Sequence, residues 1–169
     1  NKTMYNKYLP DKYKYYVFIE YMGGDFENDY NTFEKAVMET IEQGLVDDAV
    51  LGKDEKEQLN IWGIREDVAV LAEEKKFDQQ FDISIPVGQI GEVIDKTINE
   101  LKNCKGVETI FPFGHVADGN IHFIIGKNSD DDDLKSNINE IIYSNTELVK
   151  GSISAEHGIG LDKKKYLIK

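Results

Sequence analysis

Cysteine is nearly absent from this chain of 169 residues, since Cys104 is the single one. One thiol cannot form an internal disulfide, and it cannot build the cysteine cluster of a structural zinc knuckle. Such a composition suits a reducing compartment. We therefore expect a cytoplasmic protein, or a mitochondrial one if the organism is eukaryotic.

Positive charge is also scarce, because 20 Lys and Arg stand against 32 Asp and Glu, giving a formal net charge of −12. A surface of that sign repels nucleic acid and anionic membranes, so we expect neither as a partner. It also repels anionic substrates. Any site for an anionic substrate therefore needs local positive charge.

Long apolar runs are missing as well. No window approaches the roughly 18 consecutive apolar residues of a membrane span, and the N-terminus lacks the apolar core of a signal peptide. No G-x-G-x-x-G follows a predicted strand, so we expect no dinucleotide site here. The chain opens on Asn1 and stops at Lys169 in a basic, helix-like stretch, so we expect a fragment of a longer protein.

The hydrophobic fraction of 40% is enough for a core, and the length predicts one domain over residues 1–169. Apolar periodicity predicts strands at about 15–21, 49–51, 81–85, 107–113, 121–125 and 153–155. It predicts helices at about 31–43, 54–75, 90–101 and 134–149. This order predicts an α+β fold, with helices on one face of a mostly antiparallel sheet. Duplicated ferredoxin-like units fit the same order, which other arrangements also fit.

The strongest local signal is the segment GHVADGNIH at residues 114–122. Asp-Gly between two apolar runs predicts a hairpin. If Asp118 and Gly119 form a two-residue turn, His115 lies directly opposite His122, and the two imidazoles can bind one divalent cation. The alternative is that two histidines merely share a half-buried hairpin.

A second signal places Glu156 beside His157 just after a predicted strand. Neighbouring residues at a strand end point to opposite sides, so we do not expect both to bind one ion. The simplest division makes Glu156 the third metal ligand and leaves His157 as a general base, a role that histidine suits near neutral pH. The alternative is an ordinary surface loop.

These two segments resemble the signatures GHxGDGNxH and SxEHGIGxxKxxYL of the C-terminal domain of FAD-linked oxidases. That group includes D-2-hydroxyglutarate dehydrogenase, D-lactate dehydrogenase and the glycolate oxidase flavoprotein subunit. Residues 16–23 (YVFIEYMG), 62–66 (WGIRE) and 81–86 (FDISIP) resemble further motifs of the family. The similarity thus runs from about residue 15 to Leu167.

The resemblance implies zinc or manganese at His115, His122 and Glu156, with His157 as the base and Arg65 binding the substrate carboxylate. It also implies FAD bound mainly by an N-terminal domain outside this chain, and a separate electron acceptor. The implied reaction converts a D-2-hydroxy acid to a 2-oxo acid. Two alternatives stay open: a metal hydrolase, and a metal-stabilised interaction module without catalysis.

Three positions depart from the hydroxyglutarate branch of the family. Gln80 stands where that branch resembles a Lys, Ile124 where it has Asn, and Ala69 where it has Thr. These residues offer less to a second carboxylate, so they favour a lactate- or glycolate-like substrate. Ala117 also replaces a common Gly, which is a mild change if its backbone is extended.

Overall fold

The computed structural model describes residues 12–66, 77–161 and 163–167, and the chain divides into two compact units, Asn1–Val68 and Ala69–Lys169. No helix among these residues is long and apolar enough to cross a membrane. The single domain expected over residues 1–169 stays a prediction.

Two helices make up the regular structure described in the first unit, α1 (Phe26–Glu42) and α2 (Glu55–Glu66). The side chain of Asp25 caps α1 by accepting a hydrogen bond from the backbone N–H of Asn28. Gly44, at φ 69°, follows the C-cap of α1, as the sequence predicts. The continuation of the second helix to residue 75 lies outside the described residues.

The strands predicted at residues 15–21 and 49–51 are wrong, because neither range pairs with another strand in the described part of this unit. Aromatic and β-branched residues favour extended backbone, but a strand also needs a hydrogen-bonded neighbour. The side chains of Val17 and Ile19 are 73% and 59% exposed, so burial does not organise this segment either.

The described residues of the second unit form a three-stranded antiparallel sheet and two helices. The elements are β1 (Phe77–Ser84), α3 (Ile90–Lys102), β2 (Val107–His115), β3 (Asn120–Lys127) and α4 (Asp132–Leu148), with 3-10 turns at Val87–Gln89 and Lys164–Tyr166. The strand order is β1-β3-β2, and both pairings are antiparallel. The predicted α+β class is confirmed.

Alternation along the strands separates an apolar face from a polar one. The apolar face packs with α3 and α4 into a single core. The core side chains with the least exposure are Ile83, Leu101, Phe123, Ile125, Ile138 and Ile142. Helices therefore cover one face of the sheet, as predicted, and the other face is available for polar residues.

The order of these elements matches one ferredoxin-like unit, in which a fourth strand would lie beside β1. That strand is reduced to one bridge, where the backbones of Ser84 and Ser152 exchange two hydrogen bonds of 2.8 Å. The strand predicted at residues 153–155 is therefore wrong, because the pairing at Ser152 does not continue into these residues. Duplication of the unit is not shown, since residues 12–66 contain helices and no strand.

Candidate active site

The hairpin between β2 and β3 has a register that differs from the predicted one. His115 pairs with Asn120, and His122 pairs with Phe113, so residues 116–119 form the turn. A two-residue type I′ turn needs positive φ at both central positions. Gly119 has φ 78°, but Asp118 does not have positive φ. The prediction that His115 directly opposes His122 is therefore wrong.

The two imidazoles nevertheless meet on one face of the hairpin. Residues displaced by two positions across antiparallel strands are diagonal neighbours and lie within reach of long or aromatic side chains. The ring centroids of His115 and His122 are 5.8 Å apart and the rings are nearly perpendicular. The predicted proximity is present, but it arises from a diagonal pairing.

Nine of the side chains on the face of the sheet opposite the helices lie nearest the hairpin. Cross-strand pairing orders them in three rows, starting at the hairpin end. The rows are Ser84–Asn120–His115, then Asp82–His122–Phe113, then Gln80–Ile124–Phe111. Histidine, carboxylate and amide groups thus cluster at the hairpin end, and the third row is largely apolar.

Asp82 lies at the centre of this face, and the sequence patterns did not predict a role for it. Its side chain is only 1% exposed, and its Oδ2 accepts hydrogen bonds from three successive backbone N–H groups. The donors are Ala155 at 3.2 Å, Glu156 at 2.8 Å and His157 at 2.8 Å. One buried oxygen thereby anchors the backbone of the segment that carries two predicted site residues.

The electrostatics of Asp82 favour its charged form. Burial alone raises the pKa of this carboxyl, but hydrogen bonds from the backbone N–H groups of His157 and Glu156, with the electrostatic effects of the His157 and Lys163 side chains, outweigh burial. The net result is a pKa below the ordinary value. Asp82 is therefore a carboxylate at neutral pH, although it is buried.

Both neighbouring histidines turn Nδ1 toward this carboxylate. Nδ1 of His122 lies 3.8 Å from Oδ1 of Asp82, and Nδ1 of His157 lies 3.9 Å from Oδ2. Burial lowers the pKa of His122 below its ordinary value, and the opposing effect of Asp82 does not reverse this. The imidazole of His122 is therefore neutral at neutral pH, which is the form that binds metals.

Glu156 and His157 approach the same face of the sheet, which differs from the divergence expected at a strand end. Oε1 of Glu156 accepts a 2.8 Å hydrogen bond from Nδ2 of Asn120, and the His157 ring lies 6.3 Å from the His122 ring. The reason is that residues 155–157 form a bend rather than a strand, so side chains do not alternate there.

Asn120 is a second residue that sequence reasoning missed. Its side chain is buried. Its backbone N–H donates a 3.0 Å hydrogen bond to Oδ1 of Asp118, and its Nδ2 donates one to the carboxylate of Glu156. Its Oδ1 is buried and accepts no hydrogen bond within the described part of the chain. A buried acceptor of this kind normally has a donor or a cation as its partner.

His115, His122 and Glu156 are chemically suitable ligands for a divalent metal, but their side chains are not arranged around one point. Among residues 12–66, 77–161 and 163–167, no three His, Cys, Asp or Glu side chains form a group that could hold a metal ion. His115 and Glu156 are exposed, so a change of rotamer displaces solvent and not core atoms. Two neutral imidazoles and a carboxylate are a common ligand set of catalytic zinc.

Arg65 lies in the first unit, near the end of α2. Its guanidinium donates a 2.8 Å hydrogen bond to the carboxylate of Glu66 and lies 5.8 Å from the centre of the Trp62 ring. About half of its side chain is exposed, at 48%. A second carboxylate can therefore reach this guanidinium from solvent.

Two of the three sequence departures are direct neighbours. Gln80 of β1 pairs with Ile124 of β3 in the row next to Asp82 and His122. Nε2 of Gln80 donates a 2.7 Å hydrogen bond to Asp78, and Ile124 is 7% exposed. Ala69 lies outside the described residues.

Comparison with known proteins decides the family. The model of the family "FAD linked oxidases, C-terminal domain" matches residues 1–169. The chain belongs to this family. The predicted resemblance to the FAD-linked oxidases is confirmed, and the polar face described above lies within the FAD linked oxidase C-terminal domain.

Relatives of this FAD linked oxidase domain include named dehydrogenases. A mitochondrial D-2-hydroxyglutarate dehydrogenase of Arabidopsis thaliana is 33% identical over 88% of the chain and 26% of its own length. Its counterpart in Danio rerio is 31% identical over 90% of the chain and 28% of its own length. A Schizosaccharomyces pombe protein with the provisional name of a mitochondrial D-lactate dehydrogenase is 28% identical over 99% of the chain. The chain spans between about a quarter and a third of these relatives.

Proposed function

We propose that the protein containing this chain is an FAD-dependent dehydrogenase that oxidises a D-2-hydroxy acid to a 2-oxo acid. The chain would supply the substrate side of the active site. The observation that carries this proposal is the cluster of His122, Glu156 and His157 around Asp82, with His115 beside His122, within a domain of the FAD linked oxidase family.

His157 is the proposed general base. Its side chain is 68% exposed, so it can reach a substrate hydroxyl, and its Nδ1 faces Asp82. When Nδ1 carries the proton, Nε2 is free to remove the hydroxyl proton as hydride leaves C2 of the substrate. FAD, held mainly by an N-terminal domain outside this chain, would supply the hydride acceptor, and a separate electron acceptor would reoxidise it.

His115, His122 and Glu156 are the proposed ligands of a zinc or manganese ion. The 5.8 Å between the His115 and His122 rings, the hydrogen bond of Glu156 to Asn120 on the same face, and the neutral imidazole of His122 support this assignment. An ion held by these residues would supply a Lewis acid, which would lower the pKa of the substrate hydroxyl. The residues of the chain would then orient the substrate so that its hydroxyl proton points at His157.

Arg65 is the proposed partner of the substrate carboxylate. The chain carries a net charge of −12, so an anionic substrate needs a local cation. A guanidinium binds a carboxylate through two parallel hydrogen bonds. Its present partner is the adjacent, exposed Glu66, and exposed pairs of this kind are weak enough for a substrate to replace.

The proposed substrate is a small monocarboxylate such as lactate or glycolate. Gln80 and Ile124, which pair directly, provide an amide and an apolar side chain beside the site and no cation for a second carboxylate. The names of the relatives mention both D-2-hydroxyglutarate and D-lactate. Their mitochondrial names also support a mitochondrial location in a eukaryote.

Flavin reduction by the full-length protein tests this proposal. The holoprotein is mixed without oxygen with D-lactate, L-lactate, glycolate or D-2-hydroxyglutarate, and the flavin absorbance is followed. We expect bleaching by the D-acids, faster than by L-lactate. Binding of metal without bleaching by any of these acids would favour an interaction module, and ester or amide hydrolysis by the same sample would favour a metal hydrolase.

A further inference from the structure

We propose that Asp82 is a positioning residue that organises the metal ligand His122 and the base His157 together. This inference rests on the proposed function for the roles of those two histidines. It concerns a residue that does not touch the substrate and acts through its neighbours.

The first step of the argument is the backbone anchor. Three consecutive N–H groups, from Ala155 to His157, converge on one oxygen of a carboxylate that is 1% exposed. The segment 155–157 pairs with no strand, so these bonds replace a sheet ladder. They fix the points at which the Glu156 and His157 side chains leave the main chain.

The second step concerns the other oxygen. Oδ1 of Asp82 is buried, accepts no hydrogen bond within the described residues and lies 3.8 Å from Nδ1 of His122. A carboxylate beside one ring nitrogen of a metal-binding histidine keeps the proton on that nitrogen and the other nitrogen free for the metal. At this distance the charge of Asp82, and not a hydrogen bond, favours the tautomer of His122 that carries its proton on Nδ1 and presents Nε2.

The third step is that the same carboxylate faces the base. Nδ1 of His157 lies 3.9 Å from Oδ2, which is within ion-pair range and longer than a hydrogen bond. A negative charge at this position stabilises the imidazolium that forms when His157 takes a proton. One buried charge thus acts on both the ligand and the base.

Replacing Asp82 with asparagine removes the charge of the side chain and keeps its shape. An amide has nearly the same volume as the carboxylate and keeps one oxygen for the backbone N–H groups. It would place an N–H₂ group toward His122 Nδ1 or toward the backbone donors, and either choice is unfavourable. Asp82→Asn should therefore fold and yet perturb both histidines.

The experiment compares full-length wild type with Asp82→Asn and with Asp78→Asn. Asp78 lies on the same strand and the same face, and its loss of charge is identical. We expect Asp82→Asn to lower kcat about 100-fold with little change in KM, because the base is affected and Arg65 is not. We expect zinc affinity, measured by titration of metal-free protein, to fall about 10- to 100-fold. Asp78→Asn should match wild type in both.

A double-variant cycle distinguishes positioning from general stability. If Asp82 acts through His157, Asp82→Asn should reduce kcat much less in a His157→Gln background than in wild type. A purely structural loss would lower kcat by the same factor in both backgrounds. Hydrogen exchange of the amides of residues 155–157 should also be faster in Asp82→Asn than in Asp78→Asn.

The zinc and exchange measurements require no turnover, so the two proposals can fail separately. If no hydroxy acid reduces the flavin of wild type, the proposed function fails, while a selective loss of zinc affinity in Asp82→Asn still supports positioning of His122. If wild type turns over and Asp82→Asn keeps wild-type kcat and zinc affinity, the positioning role of Asp82 is overturned.

Discussion

His122 and Asp82 lie directly opposite each other on neighbouring strands, with His122 Nδ1 3.8 Å from Asp82 Oδ1. The pair connects two segments that are distant in sequence, because the other oxygen of Asp82 holds the backbone of Glu156 and His157. The hairpin histidines and the Glu-His segment therefore lie in one cluster.

Metal binding should depend on both hairpin histidines. We expect His115→Ala and His122→Ala to reduce the divalent metal content of the full-length protein to a small fraction of the wild-type value, because each removes one of the three proposed ligands. Elemental analysis after dialysis gives the content. Equal content in wild type and both variants would contradict the assignment of these ligands.

Glu156 and His157 should separate into a ligand and a base. Glu156→Gln should lower metal content and flavin reduction together. His157→Gln should keep the metal and lower the rate of flavin reduction by roughly 10²–10⁴-fold, as expected for loss of a general base. Both side chains approach the same face, so the reverse result, metal loss in His157→Gln alone, would exchange the two roles.

Substrate choice should follow the Gln80–Ile124 pair. A second substrate carboxylate without a cation lacks a charge-assisted hydrogen bond worth about 1.5–3 kcal/mol, which is roughly tenfold to over a hundredfold in kcat/KM. We expect wild type to prefer D-lactate over D-2-hydroxyglutarate. Gln80→Lys should raise kcat/KM for the dicarboxylate, and Gln80→Met is the uncharged control of similar length. A wild type that prefers the dicarboxylate would refute this expectation.

The charge of Asp82 should stabilise the fold above acidic pH and not below it. The folded-state pKa is depressed, so the stabilisation is complete above the unfolded value of about 3.9 and is lost as pH falls through the folded pKa. The urea midpoint of wild type should exceed that of Asp82→Asn near neutral pH, and the difference should shrink below about pH 4. A difference that does not change with pH would mean that shape and not charge stabilises this site.

Periodicity in the sequence predicts the helices and the hairpin strands of the second unit well, because each buries one apolar face in a shared core. The register of the hairpin, by contrast, was predicted wrongly. It depends on the φ angle of Asp118, which the Asp-Gly pattern alone does not determine, since Asp-Gly also occurs in longer turns.

Asp82 could not be assigned from local sequence. In FDISI it looks like the outward-facing residue of a half-buried strand, and its three donors lie 73 to 75 positions later in the chain. Its burial therefore depends on residues that are distant in the sequence and close only in the folded chain. Residues 15–21 show the opposite case, because they have a pattern typical of strands but pair with no strand in the part of the chain that the structure describes.

The most direct measurement of the central claim is flavin reduction in the full-length holoprotein by D-lactate with hydrogen or deuterium at C2. We expect bleaching with both, slower with deuterium, and loss of bleaching after removal of the metal with its return on adding zinc or manganese. Absence of bleaching by D-lactate, glycolate and D-2-hydroxyglutarate alike, in protein that contains both flavin and metal, would contradict the claim.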